Sequence, residues 1–527
     1  MSPMAAPAPP DAPAAPDPLG ARAPKLAALL GLRRGARVLA AGARLRAWEA
    51  DLDAYFDAEW RASIGIGTIG GGWDLVLWAP TPAETGAGFA DALAAIRASL
   101  SPGGTLVLMA KNALSLREMA HGAPGLVRSG ARTAGGYRAR LRAAGFARVH
   151  EFAAVPSLDD AEEFVSPPAR IALPASGRAE RALAAVGLLP LVHDGFVYIA
   201  AGNRGGLSSL LQSLREGGEE AGGPATRLER FALRSRGALV LRVRTGAREM
   251  VCRVAATGEA AGMVACNAEW TRRLRACRGL EPWARERIPK PSAEIALGDA
   301  VLFPERAVDG VVGWMLAPAR RTVLWHDLVR FALNLHHATA RALRLDEESV
   351  ERLVPESLPA HAAGLRRAYG EVRAALAARV LGTAQVTAWA HGDYGHGNAI
   401  ADARSGRLAG VIDWDQGARD AAGTDVLNAA VQRHHLDTGL PYARAFAVVA
   451  ERFAAGGFAA VDAPAFDAAL PLDPAARAGL AAWTALRIVR RSARYAALFA
   501  GSEADSAALL GEAAALLARH PAAGDGR

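Results

Sequence analysis

The stretch HGDYGHGNAI at 391–400, followed by VIDWDQ at 411–416, decides how the second half of this chain is read. Asp393 and Asn398 share one short loop, and Asp413 follows an apolar run, LAGVI, that reads as a strand. Two carboxylates and one amide oxygen converging are hard oxygen ligands of the kind Mg²⁺ prefers, with phosphate oxygens completing its shell. Phosphoryl transfer needs little covalent help. It needs a placed metal, a clamp on the nucleotide, and a carboxylate that accepts a hydrogen bond from the attacking hydroxyl. Runs of Asp, Gly and Asn also make ordinary turns. Turn chemistry accounts for either segment alone, but not for HxDxxxxN followed at this distance by an apolar run and Ile-Asp.

Working outward, three runs of period two, RLERFALR, ALVLRVR and REMVCRVAA, are joined by SRG and TGA turns and predict a meander. A helix is predicted over 264–279, then strand-like sequence up to Leu316. From about Thr322 the chain reads as helical, apart from an irregular segment at 388–420.

Together these features resemble the aminoglycoside phosphotransferase and choline kinase group, whose fold is that of protein kinases. That family's catalytic loop reads HGDxxxxN, and its metal segment reads IDW followed by an acid. The resemblance covers roughly 227–520 and implies an α+β kinase-like domain: a small β-rich N-lobe at 227–318 and a helical C-lobe at 319–522. It also implies ATP and Mg²⁺ as cofactors and a small-molecule hydroxyl, of a sugar or amino alcohol, as acceptor. By the resemblance Asp393 is the catalytic carboxylate, Asn398 and Asp413 are metal ligands, and His391 is a structural member of the loop. Asp425 matches an acid that braces the loop from the next helix, although a plain first-turn aspartate is equally compatible with the residue type. Asp415, His396 and His336 are read as packing or loop structure.

In the expected N-lobe, the turn Ser235-Arg236-Gly237 would bind phosphate through backbone N–H groups. Arg253 stands where the family carries the lysine that pairs with the α- and β-phosphates. Glu269 is its expected carboxylate partner, with a solvated helix-face glutamate as the alternative. LFPERAVDG at 302–310 would be the hinge whose backbone holds adenine. Arginine is a longer planar fork and lysine a point charge, so the exchange keeps the charge and alters the geometry.

The first half alternates strands and helices. ARVLAAG (36–42), WDLVLWA (73–79) and TLVLMA (105–110) read as strands, and 88–100 as a helix. YRARLRAAGF (137–146) reads as a helix, with ARVHEFAAV and GFVYIAAG (195–202) as further strands. This pattern predicts a doubly wound α/β domain at 25–203. It resembles a class I S-adenosylmethionine (SAM) dependent methyltransferase with a damaged cofactor signature. After the first strand only Gly42 remains, and Ala40 takes the acidic place. The glycines at 65, 67 and 70 precede a strand instead of linking strand to helix. Asp74 reads as an ordinary residue at the start of its strand. SAM binding is therefore not expected, and a scaffolding role is.

Residues 1–24 read as a disordered Ala/Pro-rich extension without a secretory signal, and 204–226 as a Gly-rich linker. The 527 residues are 51% hydrophobic, which excludes wholesale disorder, and no apolar run is long enough to predict a membrane span. Net charge is +8, and three of the 61 basic residues are lysines, leaving 58 arginines. That bias weakens any reading of basicity as nucleic-acid binding. Cys252, Cys266 and Cys277 form no CxxC pair, which argues for a reducing cytoplasm and against zinc. Arg487, Arg490, Arg491 and Arg494 recur at helical spacing on one face near Trp483; the stripe could hold an anionic substrate or a partner, but in so arginine-rich a chain a solvated face is the better reading. Oligomeric state is not encoded in any recognisable pattern. Two other function classes stay open: a nucleotide-binding pseudokinase scaffold, and an active SAM-dependent methyltransferase.

Overall fold

The computed structural model describes residues 22–64, 69–113, 132–155, 158, 163–166, 193–202, 207–216, 226–233, 238–256, 258–297, 300–355, 358, 360–494 and 502–521. Two compact units are present. The first comprises 1–247, 252–261 and 295–302, and the second 248–251, 262–294 and 303–527.

The first unit is built on one sheet. Its strands are β1 (Arg37–Ala41), β2 (Asp57–Arg61), β3 (Trp73–Trp78), β4 (Leu100–Lys111), β5 (Arg148–Val155) and β6 (Glu163–Val165). They are followed by β7 (Gly195–Ala201), β8 (Thr226–Ala232), β9 (Ala238–Thr245), β10 (Arg248–Ala255), β11 (Ile295–Leu297) and β12 (Ala300–Arg306), of which 248–251 and 303–306 are counted with the second unit. The spatial order is β11-β12-β10-β9-β8-β6-β5-β7-β4-β3-β1-β2. β2, β1, β3 and β4 are parallel, and β7 inserts antiparallel between β4 and β5. The unbroken apolar runs of β3 and β7 are buried along nearly their whole length, as strands covered on both faces require. Helices α1 (Ala23–Leu30), α2 (Phe89–Ser99) and α3 (Ala134–Ala143) accompany these strands. Trp78, Phe89, Tyr137 and Tyr198 fill the core between them.

β6 pairs antiparallel with both β5 and β8, so the sheet runs on into the meander strands β8 and β9. Phe231 of β8 stacks on Phe164 of β6 at 4.7 Å and meets Phe152 of β5 edge-on at 5.0 Å. β2 was not anticipated from sequence. DAEWR is half exposed, with no apolar run to announce it.

The second unit is mainly helical, with α4 (Gly258–Ala276), α5 (Pro318–Thr339), α6 (Thr424–Thr438), α7 (Tyr442–Gly456) and α8 (Pro474–Arg494). Two three-stranded sheets complete it. One is ordered β13 (Val311–Val312), β16 (Ala399–Ala401), β17 (Leu408–Val411), and the other β14 (Arg341–Arg344), β15 (Ala384–Ala390), β18 (Ala418–Ala421). α6 and α8 pack together around a core that includes Trp325, Phe331, Trp414 and Trp483. Among the described residues no helix is long and apolar enough to cross a membrane. All three cysteines are free.

Candidate active site

β15 ends at Ala390 and delivers the loop 391–398, while the β16–β17 hairpin returns the chain to Asp413. The two segments meet through His391, which is 0% exposed. Its Nδ1 accepts the Asp393 backbone N–H at 3.2 Å, and its Nε2 lies 2.7 Å from the Ile412 carbonyl. An acceptor at Nδ1 and a carbonyl at Nε2 fix the tautomer with the proton on Nε2. One buried ring therefore ties the residue before Asp413 to the backbone of Asp393. The Ile412 N–H also donates to the Asn398 carbonyl at 2.9 Å, which brings the start of the Asp413 segment alongside Asn398.

Asn398 donates its side-chain amide to the Asp393 carbonyl at 2.9 Å. This orients the side chain so that its oxygen accepts no hydrogen bond among the described residues. Asp413 adopts a left-handed backbone, φ 70° and ψ 56°, which aspartate tolerates better than most residues. An amide oxygen left without a donor, beside a carboxylate at the end of the Ile412 segment, is the hard-oxygen chemistry that suits Mg²⁺. Among the described residues no group of three or more His, Cys, Asp and Glu side chains is gathered as a metal centre, here or elsewhere.

Asp425 opens α6 and accepts the backbone N–H groups of His391 at 2.5 Å and Gly392 at 3.2 Å. Gly392 sits at φ +91°, and a Cβ there would stand 2.5 Å from the Gln416 carbonyl oxygen, so only glycine fits. Tyr394 is buried and donates to the Leu328 carbonyl at 2.8 Å, while Asn428 of α6 donates to the Tyr394 carbonyl at 2.8 Å. Burial raises the Tyr394 phenol above its ordinary range. His396 is fully enclosed, with both ring nitrogens lacking a partner among the described residues. Burial, reinforced by Arg433, pushes its pKa down to about 4, so it is a neutral packing residue at pH 7. His336 is likewise buried, on α5.

The arginines of α8 depart from their expected role as a solvated face. Arg487 and Arg491 have side chains only 17% and 15% exposed and turn inward. Arg487 pairs with Asp420 at 2.7 Å and Asp425 at 3.4 Å, and donates to the Thr424 hydroxyl at 2.9 Å. Arg491 is ion-paired with Asp393. Arg490 is exposed, as expected for the stripe, and the side chain of Arg494 lies outside the described residues. The reason for the departure is that α8 packs on α6, where buried Asp420 of β18 and half-buried Asp425 at the start of α6 need counter-charges. Burial raises the carboxyl of Asp420, and Arg487 pulls it back.

On α4, Asn267 is buried and its side-chain oxygen accepts the Trp414 N–H at 2.7 Å. Glu269 faces solvent, without a hydrogen bond or ion pair among the described residues. Two positions on a helix differ by about 200°, so residues 267 and 269 occupy opposite faces. Arg253 is buried within β10. Ser235 and Gly237, and the glycines at 65 and 67, lie outside the described residues. Sequence reading missed Asn267 and Asp420 as site-supporting residues, and for Arg487 and Arg491 it preferred a solvated face to a functional role. The one signal available was the helical spacing of the α8 arginines.

The comparison with protein families falls on the same part of the chain. Residues 232–461 match the phosphotransferase enzyme family. The match holds both halves of the loop pair built around Asp393 and Asp413, and covers less than half of the chain. Similar solved structures include a thermostable mutant of aminoglycoside phosphotransferase APH(4)-Ia in ternary complex with AMP-PNP and hygromycin B. It is 14% identical over 60% of this chain and 100% of that one, with TM-score 0.40. Another is aminoglycoside phosphotransferase APH(3'')-Id from Streptomyces rimosus ATCC10970, 19% identical over 53% and 98% of the two chains, TM-score 0.31. A third is the aminoglycoside-3'-phosphotransferase of type VIII, 17% identical over 58% and 99%, TM-score 0.30. No curated protein matches the chain.

Proposed function

We propose that this phosphotransferase-family chain moves the γ-phosphoryl group of ATP to a hydroxyl of a small molecule. The observation that carries the reading is the joined loop pair, in which buried His391 fastens Asp393 to the segment ending in Asp413. Asp393 accepts a hydrogen bond from the acceptor hydroxyl and takes its proton as the oxygen attacks the γ-phosphorus and ADP departs. Asp425, Asn428 and Asn398 hold the loop so that this carboxylate is presented without reorganisation. Asn398 and Asp413 are the residues that would hold Mg²⁺, which when bound neutralises phosphate charge. Arg253, with the 235–237 turn, is assigned to the α- and β-phosphates; the exposure of Glu269 leaves Asn267 as the α4 residue that reaches the metal segment.

Residues 25–203 are proposed to be a methyltransferase-like scaffold that does not use SAM. In support, Gly42 sits at φ +112° with its Cα against the Ala79 carbonyl. The glycine expected to admit a cofactor instead closes the ends of β1 and β3 on each other. The proposed location is cytoplasmic.

The test is ADP release from ATP with a panel of hydroxylated acceptors, beside calorimetric ATP binding with and without Mg²⁺. Acceptor-dependent ADP release supports the transferase. ATP binding without transfer to any acceptor favours the pseudokinase, a reading to which Arg253 in the usual lysine place and the outward-facing Glu269 lend weight.

A further inference from the structure

The cation against Asp393 is an unusual neighbour for a carboxylate that has to receive a substrate hydroxyl. Arg491 reaches it from α8, and its Nη1 also points at the Gly392 carbonyl at 3.5 Å. Among the described residues its hydrogen bonds run to Asp393, the Gly392 carbonyl and the Tyr442 hydroxyl, which leaves part of this five-donor fork unspent. The pair is only partly open: the Asp393 side chain is 20% exposed and that of Arg491 15%. Tyr442 of α7 lies beside both, and its buried phenol is raised by burial and drawn back by the Arg491 guanidinium. It donates to Asn428 at 3.0 Å and its oxygen accepts from Arg491, so the partner on that side is a neutral hydroxyl that leaves the positive charge uncompensated.

The acids nearby are already engaged. Asp420 is held by Arg487 at 2.7 Å and by the Trp483 indole N–H, and Asp425 by Arg487 at 3.4 Å and by the backbone N–H groups of His391 and Gly392. An acceptor decorated with ammonium groups would meet a guanidinium beside Asp393 and find the neighbouring carboxylates occupied. A carboxylate or phosphate would meet a partly desolvated planar fork, the geometry that binds oxyanions bidentately.

We propose that Arg491 is an acceptor-recognition residue and that the acceptor carries an oxyanion, carboxylate or phosphate, close to the hydroxyl that is phosphorylated. The inference rests on the phosphotransferase reading above and narrows its substrate class. A hydroxyl bonded to Asp393 comes within reach of the Arg491 fork, so one residue pair reads both the nucleophile and the charge next to it.

The test uses the full chain with ATP and Mg²⁺ and acceptors in matched neutral, carboxylated, phosphorylated and aminated forms, for example glucose, gluconate, glucose 6-phosphate and glucosamine among other skeletons. The expected result is a kcat/KM for one or both oxyanion forms about tenfold or more above the neutral and aminated forms. Whichever of carboxylate and phosphate is preferred identifies the oxyanion. In Arg491→Gln the advantage should vanish through a raised KM, with Arg491→Lys restoring part of it. Equal or better use of the aminated form overturns the inference and leaves the phosphotransferase standing. So does an Arg491→Gln loss that falls on kcat equally for every form, which would make Arg491 a positioning residue for Asp393 alone. ATP binding with no transfer to any acceptor overturns the phosphotransferase reading itself, and this inference with it. Unchanged thermal melting of both variants separates these outcomes from misfolding.

Discussion

The carboxylate of Asp425 accepts the backbone N–H of His391 at 2.5 Å, so the first residue of the candidate catalytic loop hangs from the first turn of α6. The same carboxylate serves Gly392 and faces Arg487. Asp425→Ala strands two backbone donors and leaves a buried guanidinium short of a partner. The expected cost is about 3 kcal/mol of stability. Urea unfolding checks it: a midpoint unchanged from wild type would mean that the brace carries no weight.

His391 joins two loops through a single ring. His391→Phe keeps the volume and removes both hydrogen bonds, so Asp393 and Asp413 lose their common tether while the core stays filled. A fall in turnover of about a hundredfold is expected, with melting shifted far less. Parallel kinetics and calorimetric melting on the variant decide it, and a turnover near wild type refutes the tether.

The sheet that runs from β5 through β6 into β8 turns on one aromatic cluster. Phe231→Ala removes the ring that stacks on Phe164 and abuts Phe152, and should cost about 3–5 kcal/mol. Because β8 pairs with β6, cleavage or deletion between 166 and 226 should likewise destabilise the 227–255 strands. Limited proteolysis of the variant would show early cuts in β8 and β9. Protection equal to wild type would mean the cluster is dispensable.

His336 is buried with its Nδ1 lacking a partner among the described residues, and burial, aided by His337, lowers its pKa. In the folded chain it stays neutral where the unfolded chain would already protonate. Between its ordinary pKa near 6.5 and its lowered folded value the unfolded state binds more protons, so stability falls as pH drops through that window. His336→Leu should flatten this part of the stability–pH curve. An identical slope in the variant, measured by denaturant unfolding at several pH values, would assign the effect elsewhere.

The loop pair was readable in the sequence because its chemistry is local: Asp393 and Asn398 share one loop, and Asp413 follows one hairpin. The meander and the strands of the first half were readable for the same reason, since period-two and fully apolar runs announce themselves within a few residues. Asp420, Arg487 and Arg491 were not. Their meaning depends on α8 packing over α6, contacts some 60 to 100 positions apart, and among 58 arginines two buried ones carry no mark. Glu269 illustrates helical phase. A carboxylate on α4 was the chemically natural choice, yet Glu269 faces solvent while the packed face of α4 presents Asn267, two positions earlier, to the Trp414 backbone. β2 escaped notice because an edge strand half open to solvent has no apolar signature.

The account stands most directly on Asp393. Turnover of an acceptor found in the hydroxyl panel should disappear in Asp393→Ala, with ATP affinity within about threefold of wild type, since this carboxylate is proposed to serve the acceptor and not the nucleotide. ADP release and isothermal calorimetry on the same preparation measure both. Retained turnover, or loss of ATP binding together with turnover in a variant that melts like wild type, would contradict the assignment.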